Sequence, residues 1–102
     1  MKTCFILLML LIAPGALART LVLDVRTPSE YQQEHVAGAV NVEYQMISEK
    51  ISSIAPDKKT AIVLYCRSGR RAGVALKQLQ EMGYSHVENA GGLESMKARL
   101  LK

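Results

Sequence analysis

The stretch from Ala61 to Met82 constrains the fold of this chain more than any other. Ala61-Ile62-Val63-Leu64-Tyr65 is a short apolar run rich in β-formers and reads as a central strand. The hydrophobic period then changes. From Arg71 to Met82 the residues Ala72, Ala75, Leu76, Leu79 and Met82 recur at three- and four-residue steps, and Gly83 follows as a helix stop. Only the turn Cys66-Arg67-Ser68-Gly69-Arg70 separates the two patterns. A buried strand feeding an amphipathic helix through a tight turn is half of a βαβ unit, and the rest of the chain must supply parallel neighbours.

It does so on both sides. Leu21-Val22-Leu23-Asp24-Val25 is a second buried strand, followed by Thr27-Pro28-Ser29-Glu30. There an N-cap Thr, a Pro at the first helical position and a Glu three residues after the cap form a capping box and predict a short helix. His35 to Val42 reads as a turn at Gly38 and a short strand. Glu43 to Ile54 carries Met46, Ile47, Ile51 and Ile54 at helical spacing, and Pro56-Asp57-Lys58-Lys59 ends that helix. His86-Val87-Glu88-Asn89 reads as an edge strand, Gly91-Gly92 as a turn and Leu93 to Leu101 as a closing helix. This alternation predicts an α/β fold, a small mainly parallel sheet flanked by helices. No linker, repeat or low-complexity segment divides it.

The N-terminus follows different rules. Met1-Lys2 gives a positive start, Cys4 to Ala13 is an unbroken apolar run of ten, Pro14-Gly15 breaks it, and Ala16-Leu17-Ala18 is a small-x-small site. That is the layout of a cleavable secretory signal peptide over residues 1–18, leaving one domain over residues 19–102. At 1.5 Å per residue the run is too short for the roughly 30 Å hydrocarbon core, so no stable membrane anchor is expected after processing. Cys4 would leave with the leader, and Cys66 would be the only thiol of the exported chain. An unpaired thiol in an oxidising compartment is a flag for reactivity.

The turn after the central strand carries the chemistry. It lies at the carboxyl end of a strand and the amino end of a helix, where open α/β sheets bind ligands. Gly69 can take positive φ, which lets successive backbone N–H groups converge into an anion-binding nest. The next helix adds its unpaired N–H groups and the positive end of its dipole. Arg67, Arg70 and Arg71 add three guanidiniums. All of these favour thiolate over thiol, so Cys66 is expected to titrate below about 8.5 without a general base. Against this stand two plainer readings, a Cys that is only a small buried hydrophobe and Arg residues that only solvate a helix start. Their combination at one strand end favours a site.

Other chemistries fail on spacing or composition. One Cys and the distant His35 and His86 cannot make a four-ligand zinc site, so no metal is expected. There is no Cys-x-x-Cys pair and no Gly-rich nucleotide fingerprint, so no cofactor is expected either. The formal net charge is +4, but the cations are scattered and only one Phe and four Tyr could stack on bases. A nucleic-acid partner is therefore not expected.

Taken together, Cys66-x-x-Gly69-x-Arg71, Asp24-Val25-Arg26, Glu30-x-x-x-x-His35-Val36-x-Gly38-Ala39 and Gly91-Gly92 resemble the rhodanese family of sulfurtransferases. The resemblance runs from about Leu21 to the C-terminus. It implies transfer of sulfane sulfur from thiosulfate, through a Cys66 persulfide, to cyanide or a thiol acceptor, by a monomeric bacterial enzyme in the periplasm. It makes Cys66 the nucleophile and the loop Arg67, Ser68, Gly69, Arg70 and Arg71 the substrate cradle. Asp24, Arg26 and Glu30 become supports of that loop, with Arg26 paired to Glu30. His35 is expected as a hydrogen-bonded structural residue and Tyr65 as core.

Departures from the family pattern are specific. Glu34 replaces the usual Gly before His35, the strand and helix that usually precede the Asp-x-Arg strand are missing, and no Trp follows Gly91-Gly92, so Met96 or a neighbour must fill that space. Cys-x5-Arg phosphatases share the strategy, but here Arg71 falls one residue short of that loop length. The second functional reading is a rhodanese-like module that carries sulfur or docks a partner without turnover.

Overall fold

The computed structural model describes residues 20–100; the segment read as a leader lies outside the described residues. Four strands form one sheet, β1 (Leu21–Asp24), β2 (Val40–Asn41), β3 (Ile62–Cys66) and β4 (Val87–Gly92). Its order is β2-β1-β3-β4, and every pairing is parallel. The helices are α1 (Pro28–Gln33), α2 (Ile47–Ile54), α3 (Arg70–Glu81) and α4 (Leu93–Leu100).

Sequence chemistry accounts for the element ends. Thr27 caps α1 as expected: its hydroxyl accepts from Glu30 N–H, and the Glu30 carboxylate accepts from Thr27 N–H at 2.9 Å. At the far end of α3, Gly83 adopts φ +99°. Gly83 N–H reaches the Gln80 carbonyl and Tyr84 N–H reaches that of Leu79, both at 3.0 Å, the paired bonds of a Schellman stop. Two expectations change. The segment read as one helix from Glu43 is a 3₁₀ turn over Tyr44–Met46 followed by α2. Gly91-Gly92, read as a turn, instead ends β4.

Alternation along β3 sorts the core. Ile62, Leu64 and Cys66 face α2 and α3 together with Leu23, Val25, Ile47, Ile51, Ala72, Ala75 and Leu79. Val63 and Tyr65 face the other side, with Val36, Ala39 and Met96. Met96, one of the candidates for the space a Trp would take, is 2% exposed and packs in this cluster. Parity has a consequence for chemistry, because Cys66 points to the same face of the sheet as the helix that follows it. The strand order reverses between β1 and β3, and both carboxyl ends open there, at Asp24 and Cys66. Such a switch point is where a parallel sheet leaves a crevice.

Candidate active site

Helix α3 lacks an ordinary N-cap. Gly69 occupies that position with φ +103°, and no side chain caps the helix. Gly73 N–H makes the first bond of the helix, to the Gly69 carbonyl, so the N–H groups of Arg70, Arg71 and Ala72 have no partner within it. The sulfur of Cys66 takes the place of the missing cap. Gly69 N–H points at Sγ from 2.9 Å. Burial pushes the Cys66 thiol up, but hydrogen bonds from the N–H groups of Ala72, Gly69, Ser68 and Arg71 outweigh it and set the pKa below the ordinary thiol value. Backbone amides, more than the guanidiniums, lower this pKa. Cys66 is only 1% exposed, yet it faces these donors and not apolar surface alone.

The three arginines divide. Arg71 turns inward, and its two terminal nitrogens meet the Glu30 carboxylate at 2.8 and 3.1 Å. Arg67 lies mostly in solvent, with Nε 3.8 Å from Glu30, and Arg70 is exposed. An open cleft of about 680 Å³ fronts the loop, bounded by Arg67, Ser68, Arg70 and Arg71 and, across it, by Thr27, Glu43, Tyr44 and Gln45. Cys66 is not among the lining residues. A reagent in the cleft therefore meets cations and amides before it meets sulfur.

The supporting residues pair differently from expectation. Arg26 does not pair with Glu30; its guanidinium grips Asp24 through Nε–Oδ1 at 2.9 Å and Nη2–Oδ2 at 2.7 Å. The two residues stand two apart where the chain bends out of β1 at Arg26, and their side chains meet there. Glu30 is thereby free for Arg71. Asp24 is fully buried and Arg26 is 5% exposed, so each satisfies the charge the other brings inside. Arg26 also donates to the Glu34 carbonyl and lies 5.7 Å from the Tyr65 ring centroid. Glu30 joins Arg71 to the α1 cap, and these bonds hold its carboxyl at about 2. Tyr65 is wholly buried, its hydroxyl accepting from Val36 N–H. His35 stacks on Tyr31 with ring centroids 3.7 Å apart, and its Nδ1 lies 2.7 Å from the Tyr31 carbonyl.

Some contributors were missed by sequence reasoning. Asn41 donates to the carbonyls of Asp24 and Arg26, both at 3.0 Å, and fixes the turn after β1. Asn89 donates to the Gly69 carbonyl at 2.9 Å. A side chain on Gly92 would overlap the Arg67 carbonyl oxygen outright and come within 2.8 Å of its carbon, so only glycine lets β4 lie beside the loop. Asn inside strands, where it is disfavoured, was the available signal for both asparagines. Among the described residues no group of His, Cys, Asp or Glu gathers to hold a metal, and no helix is long and apolar enough to cross a membrane.

Comparison with known proteins agrees with this geometry. Residues 10–99 match the rhodanese-like domain family. Thiosulfate sulfurtransferase PspE of Escherichia coli (strain K12) is 50% identical over 74 residues, 72% of this chain and 71% of that protein. A solved structure described as a rhodanese with anions from E. coli superimposes with a TM-score of 0.73 at 48% identity, covering 76% of this chain and 91% of that one. The Rhodanese_3-like domain of the Alr3790 protein from Anabaena sp. gives a TM-score of 0.69 at 29% identity, over 79% of this chain and 93% of the other.

Proposed function

Because the chain belongs to the rhodanese-like domain family, we propose that it works as a thiosulfate sulfurtransferase with Cys66 as its only nucleophile. The observation that carries this reading is the Cys66 sulfur at the uncapped N-terminus of α3, where backbone amide hydrogens face it and lower its pKa.

Thiosulfate is a compact dianion. Arg67 and Arg70 at the mouth of the loop draw it in and hold its sulfonate oxygens by charge-assisted hydrogen bonds, with Ser68 beside them. The Cys66 thiolate attacks the outer sulfur, the S–S bond of thiosulfate breaks, and its electron pair leaves with sulfite. The product is a Cys66 persulfide anion. The amides of Ser68, Gly69, Arg71 and Ala72 that favour the thiolate stabilise the persulfide as well, so the intermediate waits without a general acid. Cyanide, giving thiocyanate, or a thiolate, giving a new persulfide, then attacks the terminal sulfur and returns Cys66 as thiolate. Arg71 acts through its backbone N–H and, by holding Glu30, as a strut. Asp24, Arg26 and Glu30 brace the two walls of the crevice.

The N-terminal sequence supports export to the periplasm after cleavage behind Ala18, leaving no membrane anchor, and the proposal takes the enzyme to act as a monomer. An anion-receiving mouth in front of an activated thiolate favours turnover over a carrier that only stores sulfur. Thiosulfate:cyanide turnover of the chain starting at Arg19 tests the proposal, with Cys66→Ser as control. Thiocyanate released by the wild type and not by the variant is expected. Equal inertness of both would overturn it.

A further inference from the structure

β4 carries one residue more than its partner. Leu64 pairs with Asn89 but Cys66 pairs with Gly92, so Ala90 and Gly91 together oppose Tyr65 in a bulge. Gly91 takes φ +90° there. Its N–H, turned out of the ladder, is met by Asn89 Oδ1 at 2.8 Å. The other end of the same carboxamide, Nδ2, donates to the Gly69 carbonyl at 2.9 Å. The carboxamide packs beside two glycines: a Cβ on Gly73 would stand 3.6 Å from Nδ2 and one on Gly69 3.8 Å, both ordinary contact distances.

We propose that Asn89 is a positioning residue for sulfur transfer, a latch that ties the β4 bulge to the Gly69 carbonyl and thereby aims the amides of the active loop. The reasoning is stereochemical. No described peptide bond is cis, and in a trans peptide the N–H points opposite to the carbonyl. Holding the Gly69 carbonyl toward β4 therefore turns Arg70 N–H away from β4. It also fixes the left-handed Gly69, whose own N–H contacts Cys66 Sγ. Gly69 is the most pliable residue of the loop, and without the latch only the first bond of α3 restrains its carbonyl. The ligand is the one already assigned to the site; Asn89 never touches it and acts through the backbone.

The test compares Asn89→Ala and Asn89→Asp with Tyr84→Phe, which removes a buried hydroxyl bond to the Ala55 carbonyl at the other end of α3. Asn89→Asp keeps an oxygen for Gly91 N–H but sets a second oxygen against the Gly69 carbonyl. Thiolate formation at Cys66 is followed by its ultraviolet absorbance against pH, with Cys66→Ser subtracted, and fold by circular dichroism and thermal midpoint. Both Asn89 variants are expected to remain folded and to shift the thiolate midpoint upward by about half a unit or more. Their rate of persulfide formation from thiosulfate at neutral pH should fall about tenfold or more. Tyr84→Phe should lower the thermal midpoint and leave the titration in place. Folded Asn89 variants with the wild-type titration, the same shift in Tyr84→Phe, or failure of both Asn89 variants to fold would each overturn the inference. It rests on Cys66 as sulfur acceptor, but the titration needs no thiosulfate. A latch effect on the titration in a wild type that does not turn over would sink that functional reading and leave the latch standing.

Discussion

Replacing Gly92 by alanine sets a methyl group where the Arg67 carbonyl already lies. The new Cβ would overlap the carbonyl oxygen, sit 2.8 Å from its carbon and 3.5 Å from Ser68 N. These are backbone atoms, which cannot swing aside as a side chain can. Gly92 is paired with Cys66 in the sheet, so β4 has little freedom to retreat and the loop must move. A retreat on the order of 1 Å shifts Arg67 and takes the Ser68 N–H from its place beside the sulfur, and misplacement of that size costs about 10²-fold in rate. Overpacking of this kind destabilises by about 1–3 kcal/mol, or roughly 4–8 °C in thermal midpoint for each kcal/mol in a domain of this size. Gly38→Ala is the control for a glycine replacement without a clash. Gly38 lies at positive φ, +85°, and a Cβ there meets nothing within 4 Å, so the change should cost about 1 kcal/mol of left-handed strain with kcat/KM unchanged. The assay is steady-state thiosulfate:cyanide kinetics with calorimetric melting on the three proteins. A Gly92→Ala protein within twofold of wild-type kcat/KM, or one whose activity falls no further than that of Gly38→Ala, would refute the claim that the close approach of β4 sets the loop.

Glu30→Gln should destabilise by about 1–2 kcal/mol at neutral pH, since a shift from 4.5 to about 2 caps the effect near 3 kcal/mol and partial exposure of Glu30 and Arg71 reduces it. The folded pKa is depressed, so this stability is fully present above the unfolded value near 4.5 and drains away as pH falls toward 2. Urea melts of both proteins across that range should converge at its acid end. Arg70→Ala should raise KM for thiosulfate with little change in Tm, and the loss should shrink at high salt, as kinetics at two ionic strengths would show. Arg71→Ala should instead lower Tm, because it strips the Glu30 carboxylate of its partner. The pH profile of kcat/KM should have an acid limb below the free-thiol range that tracks Cys66.

The legible parts of this molecule were those where one local rule decides. The capping box at Thr27, the Gly83 stop and the apolar run before Cys66 each act over a few residues; the structure places the first two as read and shifts the strand by one residue, to Ile62–Cys66. The nest was legible for the same reason, because Gly69 and an amphipathic helix start together require converging amides. What could not be read was pairing between charges. Asp24, Arg26, Glu30, Arg67 and Arg71 offer several ways to pair, and choosing Asp24–Arg26 with Glu30–Arg71 depends on where two strand ends and α1 meet. The role of Gly91-Gly92 was hidden by a bulge, whose extra residue shows only once β4 is aligned on β3. Asn89 gave a weak signal in sequence because its two partners, Gly69 and Gly91, lie on different segments.

The account stands on Cys66 as a thiolate that takes up a single sulfur atom. Incubation of the protein with thiosulfate, followed by intact-mass measurement and peptide mapping without reductant, reads this directly. The wild type should gain the mass of one sulfur on the peptide that contains Cys66, lose it on addition of cyanide, and show no gain in Cys66→Ser. A wild type that gains nothing, or a Cys66→Ser protein that gains as much, would contradict it.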